Sequence, residues 1–188
     1  MSVDLTFRRY DSDGARANRD IVSLIHQDAY AEAIATGDPF ESVEAFMTRF
    51  DSYTSRPGNG FELVVGHLGS EPVGQTWGWP LGPKSLWWRD LEEEPEPGFT
   101  DEDGTRTFAL SEIMVRKEWT GQGLAHQLHD ELLTQRREQR ATLLVEHDND
   151  TAYKAYEHWG WQRVTQFRPG WPDAPLMHVM ILPLPLSQ

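Results

Sequence analysis

With 188 residues, 38% of them hydrophobic and 25% charged, the chain has the length and balance of one ordinary globular domain able to bury a substantial core. No apolar run approaches the roughly 20 residues a bilayer-spanning helix needs, and zero cysteines exclude a disulfide framework, a thiolate metal site and a cysteine nucleophile. Acids outnumber bases 30 to 17, and the formal charge of -13 disfavours nucleic acid while attracting cations, protonated amines among them.

The opening Met1-Ser2-Val3-Asp4 lacks the basic and apolar regions of a secretory signal, so a cytoplasmic location is expected. Residues 5–10 alternate as a short strand, and Asp11-Ser12-Asp13-Gly14 supplies turn and cap residues. A helix is predicted over about 17–33, where Ile21, Leu24, Ile25 and Ala29 recur at helical spacing, and a second helical piece carries Val43, Phe46, Met47 and Phe50. Both stripes read as core. Residues 61–67 and 72–79 are strand-like and separated by the turn-rich Leu68-Gly69-Ser70-Glu71, which predicts an antiparallel hairpin. The stretch from about 82 to 106, with Trp87-Trp88 and many acids, is a loop long enough to be either functional or disordered.

A third strand is predicted at 107–115, an amphipathic helix from 123 to about 140 through Leu124, Leu128, Leu132 and Leu133, and a strand at 141–145. The run Thr142-Leu143-Leu144-Val145 fits a strand covered on both faces. A helix over about 151–159 and strands at 161–165 and 178–182 close the chain. The expected architecture is a single α/β domain over 1–188, a mixed sheet with helices packed on its faces and a right-handed crossover from 107 to 141.

The segment Val115-Arg116-Lys117-Glu118-Trp119-Thr120-Gly121-Gln122-Gly123-Leu124-Ala125 is a strand end, a short loop and a glycine pair opening a helix. That geometry binds anions: small residues let the backbone approach a phosphate, and the first N–H groups of the helix point at it with the dipole behind them. A P-loop would need Gly-Lys-Ser/Thr where Gly123-Leu124-Ala125 stands, and a dinucleotide fingerprint would need a third glycine where His126 stands. A plain strand-to-helix turn is the competing explanation of the glycine pair.

Thr120-Gly121-Gln122-Gly123-Leu124-Ala125 resembles the Arg/Gln-x-x-Gly-x-Gly/Ala signature of the GNAT N-acetyltransferases. Asn149-Asp150-Thr151-Ala152-Tyr153-Lys154-Ala155-Tyr156-Glu157-His158-Trp159-Gly160-Trp161 resembles the later motif of the same family, in the right order and at a typical separation. The resemblance covers about 107–165 well and the N-terminal half through element order. It implies a mixed, mostly antiparallel sheet whose central parallel strand pair is splayed around CoA. It also implies acetyl-CoA as co-substrate, with backbone of Ile113, Met114 and Val115 pairing with pantetheine and Thr120, Gly121, Gln122, Gly123, Leu124 and Ala125 around the pyrophosphate. Asn149 would bond the pantetheine arm, although a helix cap explains it equally well. Thr120 departs from the signature, since it offers no extended charged fork; Arg116 and Lys117 are nearby substitutes.

By the same resemblance Tyr156 is the acid that protonates the departing thiolate, with Tyr153 one turn earlier as a lesser substitute. Glu112, on the strand leading into the CoA site, is the first choice of base, and Glu146, at the end of the adjacent strand, the second. Trp77, Trp79, Trp87 and Trp88, with Asp90, Glu92, Glu93 and Glu94, form a candidate aromatic and acidic acceptor site, over which Phe167-Arg168-Pro169-Gly170-Trp171-Pro172-Asp173 would close. Packed tryptophans and a mobile acidic loop are the alternative. His126 and His129 lie three apart on a predicted helix with no third ligand evident, so no metal is expected.

The expected function is acetyl transfer to a primary amine of a small molecule, such as an aminoglycoside-like antibiotic, a polyamine or an amino-acid-derived metabolite. A protein N-terminal or lysine acetyltransferase is the second reading, and a non-catalytic CoA-binding sensor the third. No nucleic-acid or membrane partner is expected, and a homodimer is compatible with all three.

Overall fold

The computed structural model describes residues 4–56, 58–91, 93–170 and 172–186; Glu92 of the acidic loop and Trp171 of the later one lie outside the described residues. Seven strands, β1 (Leu5–Tyr10), β2 (Glu62–Leu68), β3 (Glu71–Pro80), β4 (Thr107–Val115), β5 (Arg140–Glu146), β6 (Gln162–Phe167) and β7 (Met177–Pro183), form one sheet in the order β1-β2-β3-β4-β5-β7-β6. Helices are α1 (Ser12–Ala17), α2 (Arg19–Ala29), α3 (Ala31–Ala35), α4 (Val43–Thr54), α5 (Leu124–Leu133) and α6 (Asp150–His158). The sheet is mixed and mostly antiparallel, as expected, with β4 and β5 parallel over Thr107–Ala109 and Arg140–Thr142. No helix among the described residues is long and apolar enough to cross a membrane. The chain divides into two compact units, Met1–Trp79 with Glu112–Thr134 and Pro80–Ser111 with Gln135–Gln188.

In the first unit the helix predicted over 17–33 is three pieces. Asn18 and Tyr30 leave helical geometry, with φ/ψ of -107°/23° and -110°/20°. The Asn18 side chain donates to Gly14 O at 2.8 Å, a local bond that competes with continuing the ladder. Asp11 starts α1 early by accepting from Gly14 N at 2.9 Å, and Ser42 caps α4 by accepting from Ala45 N at 3.1 Å. The apolar stripes of α2 and α4 deliver Val22, Ile25, Phe46, Met47 and Phe50 to a core with Leu63, Val65, Trp77 and Met114. Alternation along the strands sends Gly66 and Gly74 to the opposite face, where Leu128 of α5 packs. A Cβ on Gly74 would lie 2.9 Å from both Leu128 and Met114 O, so only glycine admits this close approach.

The second unit holds the long loop, and it is tied down rather than loose. Leu81, Trp88 and Phe99 are buried, Leu81 N donates to Thr107 O at 2.8 Å, and Gly104 N donates to Leu81 O at 2.9 Å. Arg140, at the start of β5, reaches into the loop: its guanidinium lies 4.3 Å from the Phe99 ring centre and donates to Phe99 O at 2.5 Å and Thr107 Oγ1 at 2.8 Å. The helix predicted to reach about residue 140 stops at Leu133, and Glu138 there pairs with Arg136. The predicted β6 and β7 appear with boundaries shifted by one or two residues.

Candidate active site

The glycine pair forms an open cradle. Gly121 and Gly123 have φ of +73° and +77°, a region that costs a residue with Cβ, and nothing lies within 4 Å of where either Cβ would stand. Gly123 caps α5 with no side-chain hydrogen bond and no acid in the first turn, and the helix ladder begins only with Gln127 N donating to Gly123 O. The earlier N–H groups of α5 are therefore those a helix leaves for an outside acceptor. These features fit a pyrophosphate.

Side chains around the cradle add little charge. Thr120 is exposed and its hydroxyl donates to Lys117 O at 2.9 Å, closing the short turn at Lys117–Trp119. Arg116 and Lys117 are committed elsewhere: Arg116 pairs with Asp28 at 3.2 Å and Glu71 at 2.8 Å, and Lys117 pairs with Glu32 at 2.6 Å. Both are nearby candidates for the missing signature charge, and each already has an ion-pair partner.

Upstream on the same strand, Ile113 and Val115 are half-buried and Met114 is in the core. Gln75 Nε2 lies 3.3 Å from Met114 Sδ and Arg116 N donates to Val73 O at 2.9 Å, contacts that run in opposite directions along β3 and β4. That antiparallel register sets Glu112 beside Trp77, on the face covered by α4. Thr76 Oγ1 holds the Glu112 backbone, donating to its carbonyl at 2.8 Å. Burial lifts the Glu112 carboxyl to about 7; Arg49 pulls it down and Glu41 pushes it up. A carboxyl poised near neutrality is what a base for an amine requires.

The same face carries two residues that periodicity left unmarked. Tyr53 of α4 packs its ring 4.5 Å from Trp79, and burial followed by the charge of Glu112 raises its phenol. Arg49, one turn earlier, sits 4.2 Å from the Phe40 ring centre and donates to Phe40 O at 3.1 Å. Their four-residue spacing beside the apolar stripe was the available sign, but only the packing of α4 shows which strand residues they meet. His26 is buried with its ring 3.6 Å from Phe46, and burial lowers it to about 4, so it stays neutral.

The proposed acceptor tryptophans differ in burial. Trp77 is 1% exposed and packs among Phe46, Phe50 and Phe61, whereas Trp79 is half-buried between Tyr53 and Phe61. In the second unit Trp87 is half-buried, and Trp88 is buried with its indole donating to Glu102 Oε1 at 3.0 Å.

Also in the second unit, Tyr156 on α6 is half-buried, its ring 5.5 Å from Trp159 and 6.2 Å from Trp161. Tyr153 turns instead toward His178, 5.1 Å away. Asn149 is the cap of α6, accepting from Ala152 N at 3.1 Å. Glu146 is exposed at the end of β5.

His126 and His129 do have a third group beside them: Asp130 brings one ligand atom from each within 4.8 Å. Helical spacing of the histidines hides it, because it follows His129 directly in the chain. Asp130 Oδ1 lies 2.8 Å from His129 Nδ1 and 3.5 Å from His126 Nε2.

Strand, glycine turn and helix in a mixed sheet with one central parallel pair form the frame on which the candidate site is built. Residues 98–168 match the acetyltransferase (GNAT) domain profile. An acetyltransferase from Thermus thermophilus superposes with a TM-score of 0.65 at 15% identity, over 98% of this chain and 100% of that one. The ribosomal-protein-S18-alanine N-acetyltransferase of Escherichia coli gives 0.64 at 16% identity, over 98% and 97%. An N-acetyltransferase from Thermoplasma acidophilum, in complex with coenzyme A, gives 0.58 at 10% identity, over 96% and 99%. No curated protein sequence matches the chain. Residues 98–168 are thus similar to the acetyltransferase (GNAT) domain, and the chain as a whole shares the fold of these solved acetyltransferases.

Proposed function

We propose that this protein acetylates a primary amine of a small molecule, using acetyl-CoA, by direct attack with both substrates bound. The observation that carries the reading is Glu112, a half-buried carboxyl raised to about 7, on the strand that runs directly into the glycine cradle. The coenzyme A held by the Thermoplasma relative supports the donor.

Acetyl-CoA supplies an already reactive thioester, so much of the acceleration comes from positioning. The N–H groups from Gly121 to Ala125 hold the pyrophosphate, and the backbone of Ile113, Met114 and Val115 aligns the arm. Asn149 adds a contact to that arm beside its capping role. Glu112 takes the proton from the ammonium, leaving a lone pair to form the new C–N bond. The Val115 N–H stabilises the oxygen charge that develops as the C–N bond forms; when this adduct collapses and the C–S bond breaks, the Tyr156 phenol gives its proton to the leaving thiolate, and the second proton shed by the new amide nitrogen restores the phenol through solvent. Trp79 and Tyr53 form the wall on which the carbon skeleton of the acceptor rests.

Thiol release with acetyl-CoA against a panel of amines and peptides tests the reading. Turnover of small amines is expected; turnover of peptides alone would replace the acceptor class, and absence of CoA binding in calorimetry would sink the whole reading. Tyr156→Phe should lower turnover about tenfold to hundredfold while CoA affinity holds. Unchanged turnover would remove Tyr156 as the acid.

A further inference from the structure

In the first unit Arg9, Arg16, Arg19, Arg116 and Lys117 are each paired with a carboxylate. Arg8 and Arg56 are exposed to solvent. Arg49 is different: it is half-buried, and among the described residues no carboxylate pairs with it. In a chain with 30 acids and 17 bases, a cation left unpaired away from full solvent is against the electrostatic trend. Among the described residues it donates to one carbonyl and lies over the Phe40 and Phe46 rings, at 4.2 and 6.0 Å from their centres, so part of its five-donor fork is not taken up by a hydrogen bond.

Its place in the fold says what it faces. Arg49 and Tyr53 stand four apart on α4, Tyr53 packs on Trp79, and α4 covers the sheet face that carries Trp77, Met114 and Glu112. The charge of Arg49 is felt at Glu112, Tyr53 and His26, and Glu41 on the turn before α4 is the other acid near Glu112. A base for an ammonium and an uncommitted guanidinium thus flank one aromatic wall.

We infer that Arg49 anchors a carboxylate on the acceptor, so that the substrate is an amino acid or an amino-acid-derived amine that keeps its acid group. The inference rests on the N-acetyltransferase reading above and narrows its acceptor. A guanidinium fork matches a carboxylate through two parallel hydrogen bonds, while the second cation of a polyamine would meet like charge there.

The test uses matched pairs that differ by one carboxylate: phenylalanine with phenethylamine, and lysine with cadaverine. Initial rates are measured with saturating acetyl-CoA for the wild type, Arg49→Gln and Arg49→Lys. The expected kcat/KM favours the acid-bearing member of at least one pair by about tenfold to hundredfold. Arg49→Gln should erase that ratio and Arg49→Lys should restore part of it. An arginine that acted only by tuning Glu112 would change both members of a pair alike, and a ratio that survives Arg49→Gln overturns the inference. So does a wild-type preference for the decarboxylated amines. If CoA binds but no amine turns over, the transferase reading has failed on its own account. Calorimetric titration of phenylalanine and phenethylamine into the CoA-saturated protein then decides the anchor, and equal or absent binding overturns it.

Discussion

Two glutamate–arginine neighbourhoods, one in each unit, show how pairing separates structure from chemistry. In the second unit Glu102, with a side chain 2% exposed, is met directly by Arg140 at 3.3 Å and by the Trp88 indole, and Arg140 also grips Phe99 and Thr107. Arg140 Nε and Nη2 and the Trp88 indole are all engaged, and the result is an anchored loop. In the first unit Glu112 and Arg49 feel one another without forming an ion pair, and the glutamate is left near neutrality in its proton affinity. Charges that satisfy each other stabilise a fold; charges held close but unsatisfied are available to a substrate.

The comparison breaks first at Glu112. Glu112→Gln should reduce kcat/KM by about a hundredfold to ten-thousandfold with CoA affinity retained, measured by thiol release and calorimetry. In the wild type the rate should rise as pH rises through about 7, because the carboxylate is the active form and burial has raised it. The variant should lose that limb. Stability should move the opposite way. Between the usual carboxyl range and about 7 the folded state binds the extra proton, so stability falls as pH rises across that window. Glu112→Gln should flatten this slope in denaturant titrations, and an unchanged slope would place the raised carboxyl elsewhere.

Arg140→Met tests the other side. It leaves Glu102 buried without its cation and should cost about 3–5 kcal/mol in urea unfolding. A cost below about 1 kcal/mol would show that the pair resembles an ordinary surface bridge. The smallest effect is expected at Thr120→Arg, which restores the charged fork of the family signature on an exposed loop position. CoA should bind severalfold tighter, on the order of threefold to tenfold, and no change would confirm that backbone N–H groups carry the affinity.

Much of the fold was legible because it follows from short-range rules. Alternation marks β1 and the hairpin, the glycine pair with positive φ marks the turn into α5, and Asn149 marks the start of α6. The first helical region was legible as apolar stripes but not as three pieces, since the break at Asn18 depends on a side-chain bond to Gly14. In the site, Glu112 could be chosen from its position on the strand before the cradle. Its partners could not, since Arg49 and Tyr53 lie about sixty residues away and meet it only through packing of α4.

Elements, their order and the glycine turn were thus written in the chain itself, because each depends on residues within a few positions of one another. It took the folded molecule to reveal that Trp88 is a buried loop anchor, that Arg116 and Lys117 form ion pairs, and that Arg49 does not. Burial and pairing are properties of what the rest of the chain places around a side chain. They set whether a charge is satisfied, and so whether it holds the fold or waits for a substrate.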